Sequence, residues 1–188
     1  MDQQINRCGW LNNDPLYIKY HDEEWGVPVH DDQKMFEFLL LETFQAGLSW
    51  FTILKKRENF REAFAQFNYK EIAQFNDEDF DRLMNDSGII RNKLKIRATI
   101  NNAQRFMEVQ KEFGSFCKYI WGFVDHKPII NKPKTLKDVP ATSPISDALS
   151  KDLKKRGFKF VGSTTIYAHM QACGMVNDHT IDCFRFGK

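Results

Sequence analysis

The chain has 188 residues, 42% of them hydrophobic, enough to bury one sizeable core without disulfides. Twenty-seven Lys and Arg against 25 Asp and Glu leave a net charge of +2. That balance excludes a uniformly basic nucleic-acid binder, so any basic surface must come from local clustering. The opening MDQQINRCGW lacks the apolar run of a secretory signal, and no stretch is long enough to span a membrane. The expectation is a soluble, cytoplasmic protein whose four cysteines are reduced.

Alternating β-type runs are nearly absent, and apolar residues recur at three- and four-residue intervals from Met35 onward, as in MFEFLLLETFQAGL. This predicts an all-α fold. Asp31 or Asp32 caps the first helix, a second begins at Ser49 and runs through WFTILKK, and a third covers ENFREAFAQF. Asn76 or Asp77 starts NDEDFDRLM. After a turn at Gly88, RNKLKIRATINNAQRFMEVQKEF reads as a long amphipathic helix, and Phe116 to Gly122 continues the helical lobe. From Lys127 to Pro144 four prolines interrupt the pattern, which reads as a surface connection. Ser146 is the expected N-cap for DALSKDLKKR, with Gly157 as its C-terminal glycine. Past the short turn FKFVG, Ser163 or Thr164 opens a last helix, closed by Gly174. No repeat or low-complexity tract divides the chain, so residues 1–188 are read as a single domain.

Cys8 precedes His21 by thirteen residues near one end, and His179 precedes Cys183 by four near the other. Each end offers one imidazole and one thiolate, and together they form the Cys2His2 set of a closed, structural zinc site. Spacing alone leaves two unrelated polar pairs as the alternative. Cys117 and Cys173, inside apolar helical segments, read as buried thiols.

Glu42 is the odd residue of LLLETFQAGLSW. A carboxylate on an otherwise apolar helix either sits at a solvent edge or needs a partner or ligand. Trp10, Tyr17, Tyr20, Trp25 and Trp50 lie within the same fifty residues. They are either core rings or a stacking wall suited, with a carboxylate, to a flat cationic ligand. KKRGFKFVGSTTIYAHMQACG reads as a helix, a turn around Val161-Gly162 and a second helix. Backbone amides at Gly162, Ser163 and Thr164, with Lys159 and the nearby Lys154, Lys155 and Arg156, could hold a DNA phosphate. An ordinary helix hairpin with a solvated basic face is the alternative. Arg91, Lys93, Lys95 and Arg97 in GIIRNKLKI are a second basic candidate.

These residues stand in ordered blocks over nearly the whole chain: RCGW, DPLYIKYHDEEWGVP, LETFQAGLSWFTILKKRENFREAF, GIIRNKLKI and SDALSKDLKKRGFKFVGSTTIYAHMQACGMVNDH. Together they resemble the 3-methyladenine DNA glycosylase I family. The resemblance implies a compact helix-hairpin-helix fold with zinc joining the N- and C-terminal segments. It also implies an enzyme of base-excision repair that hydrolyses the N-glycosidic bond of 3-methyladenine in alkylated double-stranded DNA. It places zinc on Cys8, His21, His179 and Cys183, base recognition and catalysis on Glu42, and the aromatic wall on Trp10, Tyr17, Tyr20 and Trp50. In the wider superfamily a catalytic Asp stands in a V-D-x-H type segment; here VNDH puts Asn177 at that position. Ser163 and Thr164 follow Gly162 where strand-cutting enzymes carry a Lys, so no lyase activity is expected. The chain is taken as a monomer. A DNA-binding module without catalysis and a zinc hydrolase are the rival readings: the first leaves the rings around Glu42 unused, and the second needs an open metal position.

Overall fold

In a computed structural model, residues 5–188 are described. Ten α-helices account for most of them: α1 (Pro15–Glu23), α2 (Asp32–Gln45), α3 (Trp50–Lys55), α4 (Arg57–Ala63), α5 (Tyr69–Ile72), α6 (Asp77–Asn85), α7 (Lys93–Phe113), α8 (Phe116–Trp121), α9 (Pro144–Lys155) and α10 (Ser163–Ala172). Two short strands, β1 (Ile129–Ile130) and β2 (Val176–Asn177), pair in parallel.

The core is built around α2, in which every residue from Met35 to Phe44 is buried. A helix buried on all faces is a central one, and α3, α7, α8 and α10 pack against it. Asp31 caps α2 by accepting a hydrogen bond from the Lys34 amide. The neighbouring Asp32, the first residue of α2, instead reaches the start of α8, accepting from the Phe116 and Cys117 amides at 3.0 and 2.8 Å, while Ser115 caps that helix. Ser49, Asn76 and Asn92 cap α3, α6 and α7 with their side chains.

Four expectations need correction. Helix α1 was not foreseen, because PLYIKYHDE has little apolar periodicity, although Asp14 followed by Pro15 is a cap-and-first-turn signature. ENFREAFAQF is not one helix: α4 stops at Ala63, and Ala65, Gln66 and Phe67 take positive φ, a reversal after which Phe64 and Phe67 are both fully buried. The cap of α9 is Ser143, not Ser146. Pro144 occupies the first helical turn, and Ser146 is buried at the third position, where its hydroxyl accepts from the Ser143 amide to close a capping box. Lys95, expected on a basic surface, is buried, its ammonium donating to the carbonyls of Phe44 and Ala46 at 2.8 and 2.6 Å.

Gly174 fixes how the N-terminal third meets the C-terminal helices. Its φ is +68°, and a Cβ there would lie 2.3 Å from the Val27 carbonyl carbon. The chain from Gly26 to Val29 runs across the end of α10, with the Gly26 amide donating to the Gln171 carbonyl and the Val29 amide to that of Cys173, both at 3.0 Å. That crossing holds the segment that follows α1 against the end of α10.

Candidate active site and metal cluster

A cavity of about 290 Å³ opens between α1, α2, α3 and α10. Tyr17 and Tyr20 come from α1, Glu42 and Gln45 from α2, Trp50 from α3, and Ala168 and Gln171 from α10; Trp10 and Trp25 close the N-terminal side. All five residues expected at a base site thus share one cavity. Trp25, named in the sequence only as one ring among several, lines it as well. Trp10 packs edge-on against Trp25 at 5.1 Å and tilted against Tyr17 at 5.0 Å, and Tyr20 leans on Trp50 at 5.2 Å.

Glu42 is buried, which removes the solvent-edge alternative. Its Oε2 has no hydrogen-bond partner, and neither do the ring N–H groups of Trp10 and Trp50. Burial alone, with no cation beside it, raises the Glu42 carboxyl to about 8. Two ring donors and one carboxyl without partners on the wall of one cavity mark it as a candidate binding site for a polar, flat ligand.

Gln171, Leu136 and Val139 also line this cavity and were not anticipated. Leu136 and Val139 come from the segment read as a mere surface connection. Pro133 ties that segment to the C-terminus by accepting from the Ile181 amide at 3.0 Å. A second mouth beside Glu42 is lined by Ala46, Gly47, Leu48, Thr164 and Thr165, with Leu48 41% exposed at its rim.

The α9–α10 hairpin is anchored from behind. Asn102 of α7 accepts from the Lys159 amide and donates to its carbonyl at 2.8 and 2.9 Å, and Asn101 donates to the Gly157 carbonyl. Gly162 stands at the N-terminus of α10 with no side-chain cap, and a Cβ there would meet open space. Lys159 and Thr164 are exposed, whereas the Ser163 hydroxyl is used internally, donating to Asp147. Arg156 does not add to the free basic surface, because Glu112 and Asp152 hold it at 2.6 and 2.7 Å. Asn177 does not line the cavity; it is buried in β2, its side chain accepting from the His179 amide.

Cys8, His21, His179 and Cys183 are all buried, with ligand atoms within 4.8 Å of one another. Cys8 Sγ lies 3.4 Å from His179 Nδ1, and Cys183 Sγ lies 3.5 Å from both His21 Nε2 and His179 Nδ1. A tetrahedron with ligand bonds of about 2.0 Å to nitrogen and 2.3 Å to sulfur has N–S edges of about 3.5 Å. The outer contacts choose the ligand nitrogens. His21 Nδ1 faces Asp22 at 2.7 Å, which leaves Nε2 inward, and His179 Nε2 faces the Trp25 carbonyl at 3.1 Å, which leaves Nδ1. Arg7 in turn holds Asp22 with two nitrogens. Without a cation, burial pushes the Cys8 thiol up to about 12 and the His179 imidazole down to about 4. A divalent metal would deprotonate the thiols outright. The residues fit such an ion, with no position left for water.

The methyladenine glycosylase family model matches residues 10–186. DNA-3-methyladenine glycosylase 1 of Escherichia coli (strain K12) is 52% identical over 179 residues, covering 95% of this chain and 96% of that one. DNA-3-methyladenine glycosylase of Haemophilus influenzae is 51% identical over 177 residues, covering 94% and 96%. The crystal structure of a tyrosine-to-phenylalanine variant of 3-methyladenine DNA glycosylase I in complex with 3-methyladenine superimposes with a TM-score of 0.94 at 38% identity, covering 98% of this chain and 99% of that one. With a matching family model over this length and relatives at half identity, the chain belongs to the methyladenine glycosylase family.

Proposed function

We propose that the chain is a base-excision repair enzyme that flips 3-methyladenine out of alkylated double-stranded DNA into the cavity and hydrolyses its N-glycosidic bond, without cutting the strand. The single observation that carries this reading is the unpartnered carboxyl of Glu42 among the indole N–H groups of Trp10 and Trp50. A base methylated at N3 in DNA is cationic, flat and hydrogen-bonding, and it matches that wall: Trp10, Tyr17, Tyr20 and Trp50 supply ring faces, and Glu42 the charge.

The same cation accounts for how little catalytic machinery is needed. The leaving group departs as a neutral base without prior protonation, so Asn177 can stand where relatives with harder substrates place an Asp. With a pKa near 8, Glu42 is protonated in the empty cavity at neutral pH. A cationic base beside it draws out the carboxylate, whereas neutral adenine does not. Once ionised, Glu42 recognises the base and faces the positive charge that develops on the sugar.

On this reading α9 and α10 form a helix-hairpin-helix unit. The open first-turn amides at Gly162, Ser163 and Thr164, with Lys159, grip a phosphate, while exposed Leu48 lies beside the vacated stack. Zinc held by Cys8, His21, His179 and Cys183 is structural. The chain works as one domain, a cytoplasmic monomer. No helix among the described residues is long and apolar enough to cross a membrane.

Incubating methylated duplex DNA with the protein and analysing what is released tests this. Free 3-methyladenine with intact strands is expected, and Glu42→Gln should lower its release by two orders of magnitude or more while the far-UV circular dichroism stays unchanged. Release of no base, or wild-type rates from Glu42→Gln, would refute it.

A further inference from the structure

One buried carboxylate outside the base-stacking wall has its whole environment specified. Asp178, 2% exposed, lies between α10 and the start of the segment that follows β1. Its Oδ2 accepts from the Tyr167 hydroxyl and from Gln171 Nε2, both at 2.7 Å, and its Oδ1 accepts from Asn131 Nδ2 at 2.7 Å. The network does not touch the cavity except through Gln171, which lines it one helical turn beyond Ala168.

A carboxylate only accepts, so the Gln171 amide has one allowed orientation: nitrogen toward Asp178, carbonyl oxygen away. That oxygen takes no hydrogen bond from any described residue. Gln171 lines the cavity together with Glu42, and with its nitrogen held by Asp178 the carbonyl is the end left for a ligand there: a second acceptor, from α10, beside Glu42 from α2, locked by a group that does not itself reach the cavity.

We propose that Asp178, as a positioning residue acting through Gln171, sets the preference of the cavity for a base with an exocyclic amine over one with a carbonyl at the same place. This rests on the reading of the cavity as a base site. Bases methylated at N3 are cations whether they derive from adenine or guanine, so ring stacking and the Glu42 charge favour both. The exocyclic amine of adenine has two hydrogens, one for each acceptor. The guanine oxygen has none and sets its lone pairs against those of Gln171. A fixed dipole discriminates where a free amide would turn over and donate.

Duplex DNA methylated so as to contain both 3-methyladenine and 3-methylguanine provides an internal ratio, read as the two bases released in one digest. Gln171→Met, similar in length but without the carbonyl, should lower the 3-methyladenine to 3-methylguanine ratio by about tenfold relative to wild type. Gln171→Ala serves the same purpose should methionine overfill the wall. Asp178→Asn, which permits the amide to turn, should shift the ratio in the same direction. Tyr167→Phe removes a different donor from the same carboxylate; it should lower the melting temperature and leave the ratio alone. An unchanged ratio in both Gln171 variants, or an equal shift in Tyr167→Phe, overturns the proposal. Release of neither base by the wild-type protein is the separate failure of the glycosylase reading.

Discussion

Glu37 and Glu42 stand on the same helix, each 4% exposed, yet they have opposite surroundings. Glu37 takes Arg57 at 2.7 Å, Arg61 at 3.1 Å and Lys34 at 3.2 Å, and so is a satisfied structural anion. Glu42 has an orphaned oxygen and is pushed up from 4.5 to about 8. Above about pH 4.5 the unfolded chain loses the Glu42 proton while the folded chain keeps it, so the stability tied to this group is complete below that pH. It is lost progressively as pH rises through about 8. Tyr20 and Cys173, the titratable groups that couple to it, are themselves raised well above their ordinary values by burial and stay neutral over this range. Glu42→Gln should therefore gain stability on the wild type steadily between about pH 5 and 8, by an amount on the order of a few kcal/mol at the upper end, read as a growing difference in melting temperature. Parallel melting curves against pH for the two proteins would contradict a buried, unpartnered carboxyl. Glu42 stood out in the sequence as an acid in an apolar run, but the run alone left a solvent edge open as the alternative, and its role came from the family resemblance. Gln171 was not, because a glutamine near a helix end is unremarkable until the fold sets Asp178 beside it.

At the scale of elements, α2 explains both the core and the site. It delivers Glu42 to the cavity because it is wrapped on all sides, and it must then end abruptly beneath the loop carrying Gly47 and Leu48. A helix end leaves carbonyls without partners, and the buried ammonium of Lys95 on α7 satisfies those of Phe44 and Ala46. A cation at a helix C-terminus also suits the dipole. Lys95→Met should cost about 2–3 kcal/mol, visible as a lower midpoint in urea with an unchanged slope, since it leaves buried carbonyls unsatisfied. A midpoint within error of wild type would mean that water replaces the ammonium. Periodicity placed α2, α3, α6 and α7 correctly, because each carries a capping side chain ahead of its apolar residues, and it placed α10 between the turn at Gly162 and the closing Gly174. It missed α1, whose exposed residues mix apolar Pro15 and Leu16 with Lys19 and Glu23 and whose inward ones are rings and His21 of the Cys2His2 cluster. It also read Lys95 as surface, because charge in a basic run says nothing about which side of the helix faces the core.

Across the whole molecule, a metal held by Cys8, His21, His179 and Cys183 would do more than fasten two ends. It would join Cys8 to His179 across 171 residues, a closure whose entropic effect on the unfolded chain is on the order of 5 kcal/mol for a permanent cross-link. The same cluster backs the cavity wall: Trp10 packs edge-on against His21 at 5.3 Å, and Trp25 against His179 at 4.6 Å while accepting its Nε2 hydrogen bond. On the proposed reading, stability and the base site would thus be coupled through two indoles. Chelation of the native protein, or Cys183→Ser, should lower the melting temperature and remove one equivalent of bound metal. It should also change tryptophan fluorescence and weaken base binding more than it slows excision of bound base, since Glu42, on α2, lies outside the cluster. Restoring the ion to chelated wild-type protein should recover all four signals, and in Cys183→Ser none of them. If the metal leaves and the melting temperature falls while base affinity holds, the ion is a clip and nothing more. If affinity falls with it, the ring wall owes its shape to the ligands at the two ends of the chain.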